Sequence, residues 1–99
     1  MGASIGSRAA WALPAVPSSV RELRHRAAGF ASAAGASAEV IHAVALAVSE
    51  TVTNAVVHAY AGMEPGRVSV SCRVDGRRLV VEVADDGTGV VAREDSPGL

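Results

Sequence analysis

The sequence predicts an α/β domain, a two-layer sandwich in which helices pack on a mixed or antiparallel sheet. Two stretches between residues 20 and 60 repeat their apolar positions with the period of an α-helix. Residues 68–84 change to a period of two, as strands with one buried face do. The chain has 99 residues, enough for one domain with a modest core.

The composition is typical of a soluble globular protein with a core of small side chains. Hydrophobic residues make up 49% of the chain, mostly Ala and Val, and aromatic residues only 3%. All nine basic residues are Arg, and with ten acidic residues the net charge is −1, which argues against a general nucleic-acid binder. The Ala-rich, Arg-rich and Lys-free usage is associated with bacterial genes of high GC content.

Cysteine usage and the first residues indicate the cytoplasm. Cys72 is the single cysteine, so it has no partner for an internal disulfide, and no Cys/His group has the spacing of a zinc site. The apolar run near the start is interrupted by Pro14 and Pro17, which is poor for a signal peptide and too short for a membrane span. We therefore expect no membrane segment.

The first half of the chain reads as a strand followed by two helices. Ala9 to Leu13 predict a short edge strand, and Ser18 or Ser19 is expected to cap a helix from Val20 to Ala33. Its apolar positions are Val20, Leu23, Ala27, Ala28 and Phe30.

A second helix is expected from Glu39 to Tyr60, begun by Ser37 after a break at Gly35. Gly62 and Pro65 are expected to end it. Its apolar stripe consists of Ile41, Val44, Ala45, Val48, Val52, Ala55, Val56 and Ala59.

The second half reads as a β-hairpin followed by a loop. Residues 68–74 alternate apolar and polar side chains, Asp75-Gly76 is a hairpin turn signal, and Arg78 to Ala84 form the returning strand. From Asp85 onward the sequence has neither period, so a loop is predicted there.

Polar residues interrupt the second helix at intervals of four. Because each residue advances by about 100°, Glu50, Asn54 and His58 drift by only about 40° per step and share one side of the helix. A buried carboxylate or amide without partners would be costly, so this side is either the wet face of an amphipathic helix or a functional site. The segment Asp85-Asp86-Gly87-Thr88-Gly89, directly after a strand, is likewise either a turn or a site.

Taken together, the two segments resemble a family: the ATPases and kinases that share the nucleotide fold of gyrase, heat-shock protein 90, histidine kinases and the mismatch-repair protein MutL. "ETVTNAVVHAY" is similar to that family's N box, and "DDGTG" to its first glycine box, Asp-x-Gly-x-Gly. The likeness is greatest to the small anti-sigma-factor serine kinases of bacteria, whose opening resembles "LPAVPSSV". It covers about Trp11 to Leu99 and implies the Bergerat-type ATP-binding fold, with ATP held between helix and lid.

The resemblance implies roles for five residues. Asn54 would give a side-chain oxygen to Mg²⁺, a cation that prefers oxygen ligands and is shared with the triphosphate. Glu50 would accept the proton of an attacking hydroxyl, although an ordinary surface carboxylate is the alternative. Asp85 would accept the exocyclic amine of adenine. Gly87 and Gly89 would let the backbone approach the nucleotide and hinge the lid that begins within residues 85–99.

The remaining polar side chains are expected to be structural. We expect the His58 side chain to interact favourably with the dipole at the helix C-terminus. We expect His25 to be solvated and His42 to pack against a helix. The arginines of the first helix are expected to face water, and these are Arg21, Arg24 and Arg26. Trp11 is expected to pack near the first strand.

The chain departs from the family after the first glycine box. The second glycine box, about Gly-x-Gly-Leu, holds phosphates on backbone amides at a helix N-terminus, and only "SPGL", residues 96–99, approaches it. We therefore expect a C-terminally truncated, inactive fragment that binds ATP weakly or not at all when isolated, and a submicromolar affinity would contradict this.

The function implied by the resemblance is that of a cytoplasmic serine/threonine protein kinase that uses ATP and Mg²⁺. It would phosphorylate a serine of an anti-anti-sigma (antagonist) protein and bind a sigma factor. No direct contact with nucleic acid or membrane is expected, and the sequence leaves open whether the protein forms a homodimer. The alternatives are a non-catalytic ATP-binding adaptor and the catalytic domain of a histidine kinase. The latter is weakened because only about 20 residues precede the first helix, too few for a dimerising hairpin.

Overall fold

The structure is a computed structural model that describes residues 8–62, 66–86 and 89–96. The elements are β1 (Arg8–Pro14), α1 (Pro17–Ala33), α2 (Ala38–Gly62), β2 (Arg67–Asp75), β3 (Arg78–Asp85) and β4 (Gly89–Ser96). All strand pairs are antiparallel, in the order β1-β2-β3-β4, and the helices contact each other and the sheet. The α/β two-layer fold predicted from the sequence is confirmed.

Strand β1 is an edge strand whose side chains alternate about the sheet. Ala9, Trp11 and Leu13 are half-buried and pack against the core, while the residues between them are exposed. Trp11 therefore contributes packing, as predicted. The pairing runs from Arg8 opposite Arg73 to Pro14 opposite Arg67.

Helix α1 begins three residues earlier than predicted, and its serine cap is absent. Val16 is the N-cap residue, makes no side-chain cap, and is followed by Pro17 at the start of the helix. Proline suits this position because its φ is already helical and its missing N–H would have had no intrahelical partner. Ser19 is instead buried, at 4% exposure, and its hydroxyl donates to the carbonyl of Pro14 at 2.6 Å.

Helix α2 is capped as the sequence predicts. The Ser37 hydroxyl accepts the N–H of Val40 at 3.2 Å, and Gly35 before it has a φ of +90°, which few other residues adopt. Its inward face is the central part of the core, with Val44, Val48, Val52, Ala55 and Val56 buried. His42 is exposed, so the prediction that it packs against a helix is wrong; it lies about 200° around the helix from Val44.

The β2–β3 hairpin closes through Gly76 and supplies the sheet side of the core. Gly76 has a φ of +64°, and Asp75 pairs with Arg78 across the turn, so the predicted Asp-Gly turn is confirmed. Cys72 is buried as predicted. The helix-facing side chains are Val68, Val70 and Cys72 of β2 and Leu79, Val81 and Val83 of β3, all at most 3% exposed.

Strand β4 corrects the loop prediction for the last part of the chain. Gly89–Ser96 pair with β3, and the register shifts at Val83/Ala84. An edge strand can be held by backbone pairing along one side, so it needs no alternating sequence of its own. The proposal of a nucleotide lid within residues 85–99 stays a prediction, and residues 87, 88 and 97–99 lie outside the described residues.

Length and composition alone would allow α2 to cross a membrane. The 22-residue stretch Ala38–Ala59 contains an 18-residue window with a mean hydropathy of 1.6. A core helix of a soluble protein meets the same criterion, and Val44, Val48 and Val52 of this helix lie in the hydrophobic core.

Candidate functional site

The outward face of α2 carries Glu50 and Asn54, both exposed. Their inward neighbours Val48 and Val52 are at most 1% exposed, so the helix separates a core side from a polar side within one turn. Within residues 8–62, 66–86 and 89–96, neither the Glu50 nor the Asn54 side chain has a hydrogen-bond or ion-pair partner. Their oxygen atoms are therefore available to a ligand.

The neighbouring polar residues of α2 differ from this pair. The Thr53 hydroxyl donates to the carbonyl of Ser49 at 2.6 Å, so it is used within the helix itself. His58 is exposed, further around the helix than Asn54, and its role stays a prediction.

Asp85 lies at the end of β3 on the side of the sheet that α2 covers. It pairs with Val68, a core residue, and is half-buried. Because side chains alternate along a strand, Asp85 continues the helix-facing series of Val81 and Val83. Asp85 thus faces the helical layer at the point where β3 ends, whereas Glu50 and Asn54 lie on the face of α2 that is turned away from the core.

Asp86 has a different environment from Asp85 although the two are adjacent. Its Oδ2 accepts the backbone N–H of Arg67 at 3.2 Å, and its own N–H donates to the carbonyl of Arg67 at 3.3 Å. The sequence alone assigns no function to Asp86, because it occupies the variable position of the Asp-x-Gly pattern. Its partner is also 19 residues away, beyond any local signal.

The two glycines predicted to approach the nucleotide are only partly described. Gly87 lies outside the described residues, whereas Gly89 begins β4 with Asp85 as its Cα partner. Their roles stay predictions.

Other side chains that could bind a ligand or react lie elsewhere. Among the described residues no set of three or more His, Cys, Asp or Glu side chains could hold a metal ion. A cavity of about 410 Å³ at the other end of the sheet is lined by Arg8, Ala9, Ala10, Ser71, Cys72 and Arg73. Burial raises the pKa of the Cys72 thiol to about 11, which makes it a poor nucleophile.

Comparison with known proteins points to one family. Residues 13–98 match the family described as "Histidine kinase-like ATPase domain". The chain is 43% identical over 76 residues to "Serine-protein kinase RsbW" of Listeria innocua, covering 77% of this chain and 48% of that protein. It is 41% identical over 86 residues to the protein of the same name from Bacillus licheniformis, covering 87% of this chain and 54% of the relative.

A second name recurs among the relatives. "Anti-sigma F factor" of Clostridium acetobutylicum is 41% identical over 63 residues, which cover 64% of this chain and 43% of that protein. The chain thus spans about half the length of the curated relatives that it matches.

Proposed function

The chain belongs to the histidine kinase-like ATPase domain family, and on that basis we propose that it is the nucleotide-binding part of an ATP-dependent protein serine kinase. The observation that carries the proposal is the exposed pair Glu50 and Asn54 on α2, together with Asp85 at the end of β3 on the face that the helices cover. These residues coincide with the two sequence segments that resemble the family's motifs.

The donor groups fit a nucleotide with its magnesium ion. The Asn54 carboxamide oxygen is unengaged within the described residues and is the kind of ligand that Mg²⁺ accepts. Asp85, held on a strand, accepts a hydrogen bond from the exocyclic amine of adenine, where guanine has a carbonyl. When bound, ATP would supply the phosphoryl group, and Mg²⁺ would neutralise charge on the phosphate oxygens.

Glu50 acts as the general base. It lies one turn before Asn54 on the same exposed face, so it would accept the proton of a hydroxyl that approaches a nucleotide held there. Its exposure allows the hydroxyl to belong to a serine of a protein substrate rather than to a buried small molecule. By accepting the hydroxyl proton, Glu50 raises the nucleophilicity of the serine oxygen.

The partners follow from the relatives' printed names. Relatives named as a serine-protein kinase and as an anti-sigma F factor support a protein acceptor and a sigma factor as partners of this chain. The acceptor is a serine of an anti-anti-sigma protein. The protein acts in the cytoplasm, and a regulated kinase of this kind needs no contact with nucleic acid or membrane.

A second candidate function is a binding module that uses ATP only as a conformational ligand. The relatives named as anti-sigma F factors support it, because that name describes action against a sigma factor and does not mention phosphotransfer. A histidine kinase domain is the less favoured alternative, since the relatives named as kinases act on serine by name.

Replacing Glu50 distinguishes the kinase from the binding module. In the full-length protein, with radiolabelled ATP and the organism's own anti-anti-sigma protein, we expect Glu50→Ala to reduce phosphotransfer by about 10²–10⁴-fold and to leave ATP affinity unchanged. Glu39→Ala, which removes an exposed glutamate from the same helix, is the matched control and should retain transfer. No transfer by the wild type would favour the binding module.

A further inference from the structure

Three strand ends are tied together beside Asp85 by Arg67 and Asp86, which we call the strand-end clamp. The Asp86 carboxylate accepts the N–H of Arg67 at 3.2 Å, and the Arg67 carbonyl accepts the N–H of Asp86 at 3.3 Å. The Arg67 guanidinium Nη2 donates to the carbonyl of Ala12 on β1 at 3.0 Å. The N–H of Ala15 donates to the carbonyl of Gly66 at 2.8 Å, which fastens the end of β1 to the start of β2.

The clamp extends the β2–β3 ladder by one residue pair. In an antiparallel ladder, directly opposed residues alternate between pairs that exchange both backbone hydrogen bonds and pairs that exchange none. Arg67 and Asp86 exchange two bonds, with the Asp86 carboxylate as one acceptor in place of its backbone carbonyl. The preceding pair, Val68 and Asp85, is then of the kind that exchanges none, so the register of Asp85 against β2 depends on the pairs on either side of it.

We propose that Asp86 is a positioning residue: through its bond to the Arg67 N–H it holds Asp85 in the register that selects adenine. The proposal rests on the proposed function, because Asp85 reads the base there. Asp86 itself does not read the base, since its carboxylate is engaged with the start of β2. Without this bond, this end of β3 still keeps the bond from the Asp86 N–H to the Arg67 carbonyl and the pairing of Asp85 with β4. Asp85 is then held less firmly against β2, and its carboxylate is less firmly positioned.

The size of the effect follows from exposure. Asp86 and Arg67 are both exposed, so water competes for the bond and its net contribution stays modest. We therefore expect the loss of the bond to change base selection by about tenfold and to leave the fold intact.

Binding of ATP and GTP by Asp86 variants of the full-length protein tests the proposal. Asp86→Ala should lower the preference for ATP over GTP about tenfold, whereas Asp86→Asn, which keeps an oxygen acceptor, should retain most of it. Asp75→Ala is the matched control, because Asp75 is an exposed aspartate beside a glycine at the opposite strand ends. An unchanged preference in Asp86→Ala, or an equal loss in Asp86→Asn, would overturn the proposal.

A second measurement needs no nucleotide and separates the two possible failures. Amide hydrogen exchange of Arg67 in the free protein should be slow in the wild type and in Asp86→Asn, and at least about tenfold faster in Asp86→Ala. Equal exchange in all three proteins would refute the clamp. If instead the wild type shows no preference for ATP over GTP, Asp85 does not select adenine as proposed. The positioning role of Asp86 is then contradicted as well.

Discussion

At the scale of single residues, two adjacent carboxylates illustrate how position decides chemistry. Asp85 ends the helix-facing side of β3 and is half-buried, whereas Asp86 is exposed and accepts a backbone N–H from β2. Composition cannot tell the two apart. The resemblance of the Asp-x-Gly-x-Gly segment to a known motif selects Asp85, and only the hydrogen bond of Asp86 distinguishes its neighbour.

Cys72 yields a prediction about pH and reactivity. Cys72 is 2% exposed, and burial raises the pKa of its thiol to about 11, so at pH 8 the thiol is almost entirely protonated in the folded state. We expect a disulfide reagent at pH 8 to label the folded protein very slowly and the unfolded protein rapidly. Labelling of the native protein at the rate of a free thiol would contradict the placement of Cys72 in the core.

The raised pKa also fixes the sign of a stability effect. The unfolded thiol ionises near its ordinary pKa, whereas the folded thiol stays protonated up to about pH 11. The unfolded state therefore binds fewer protons in that window, and the free energy of unfolding falls as pH rises from about 9 to 11. In denaturant titrations at about pH 9 and about pH 11, Cys72→Ala should lack this fall in the free energy of unfolding.

At the scale of elements, periodicity predicts both helices and the first three strands. The four-residue spacing of Val44, Val48 and Val52 and the alternation in β2 are direct consequences of burying one face, so they are visible in the sequence. The start of α1 is not predicted correctly. Either serine fits an N-cap by residue type, but Pro17 fixes the first turn, and Ser19 bonds to Pro14 instead.

Neither strand β4 nor the exposure of His42 could be predicted from the sequence, and the reasons are related. An edge strand is defined by pairing to its neighbour, which leaves no mark in the sequence of β4 itself. The exposure of His42 depends on where α2 touches the sheet, and an apolar stripe as wide as this one does not fix that boundary.

Two glycines in different elements should respond to alanine in opposite directions. Gly29 lies within α1, is exposed, and has no atom within 4 Å of the position that a Cβ would occupy, so Gly29→Ala should stabilise the protein by about 0.5–1 kcal/mol. Gly76 is equally open but has a φ of +64°, so Gly76→Ala should destabilise by about 1 kcal/mol. Urea unfolding of both variants measures the difference, and equal shifts would contradict the assigned backbone conformations.

At the scale of the whole molecule, the helices cover one face of the sheet, and the residues of the candidate site lie on α2 and at the end of β3. Glu50 and Asn54 point away from the core, and Asp85 lies where β3 ends. The chain spans about half the length of the curated relatives that it matches. The candidate site could be predicted because its residues are polar interruptions in apolar elements. The strand-end clamp could not, because its bonds join residues from separate strands.

We propose that Asp85, together with Asn54 and Glu50, belongs to an adenine-nucleotide site. Calorimetric titration of the full-length protein with ATP and with GTP, in the presence of Mg²⁺, tests it most directly when wild type and Asp85→Ala are compared. We predict that the wild type prefers ATP and that Asp85→Ala loses this preference by at least about tenfold while keeping its native circular dichroism. A wild type that binds both nucleotides equally, or an Asp85→Ala variant with the wild-type preference, would contradict it.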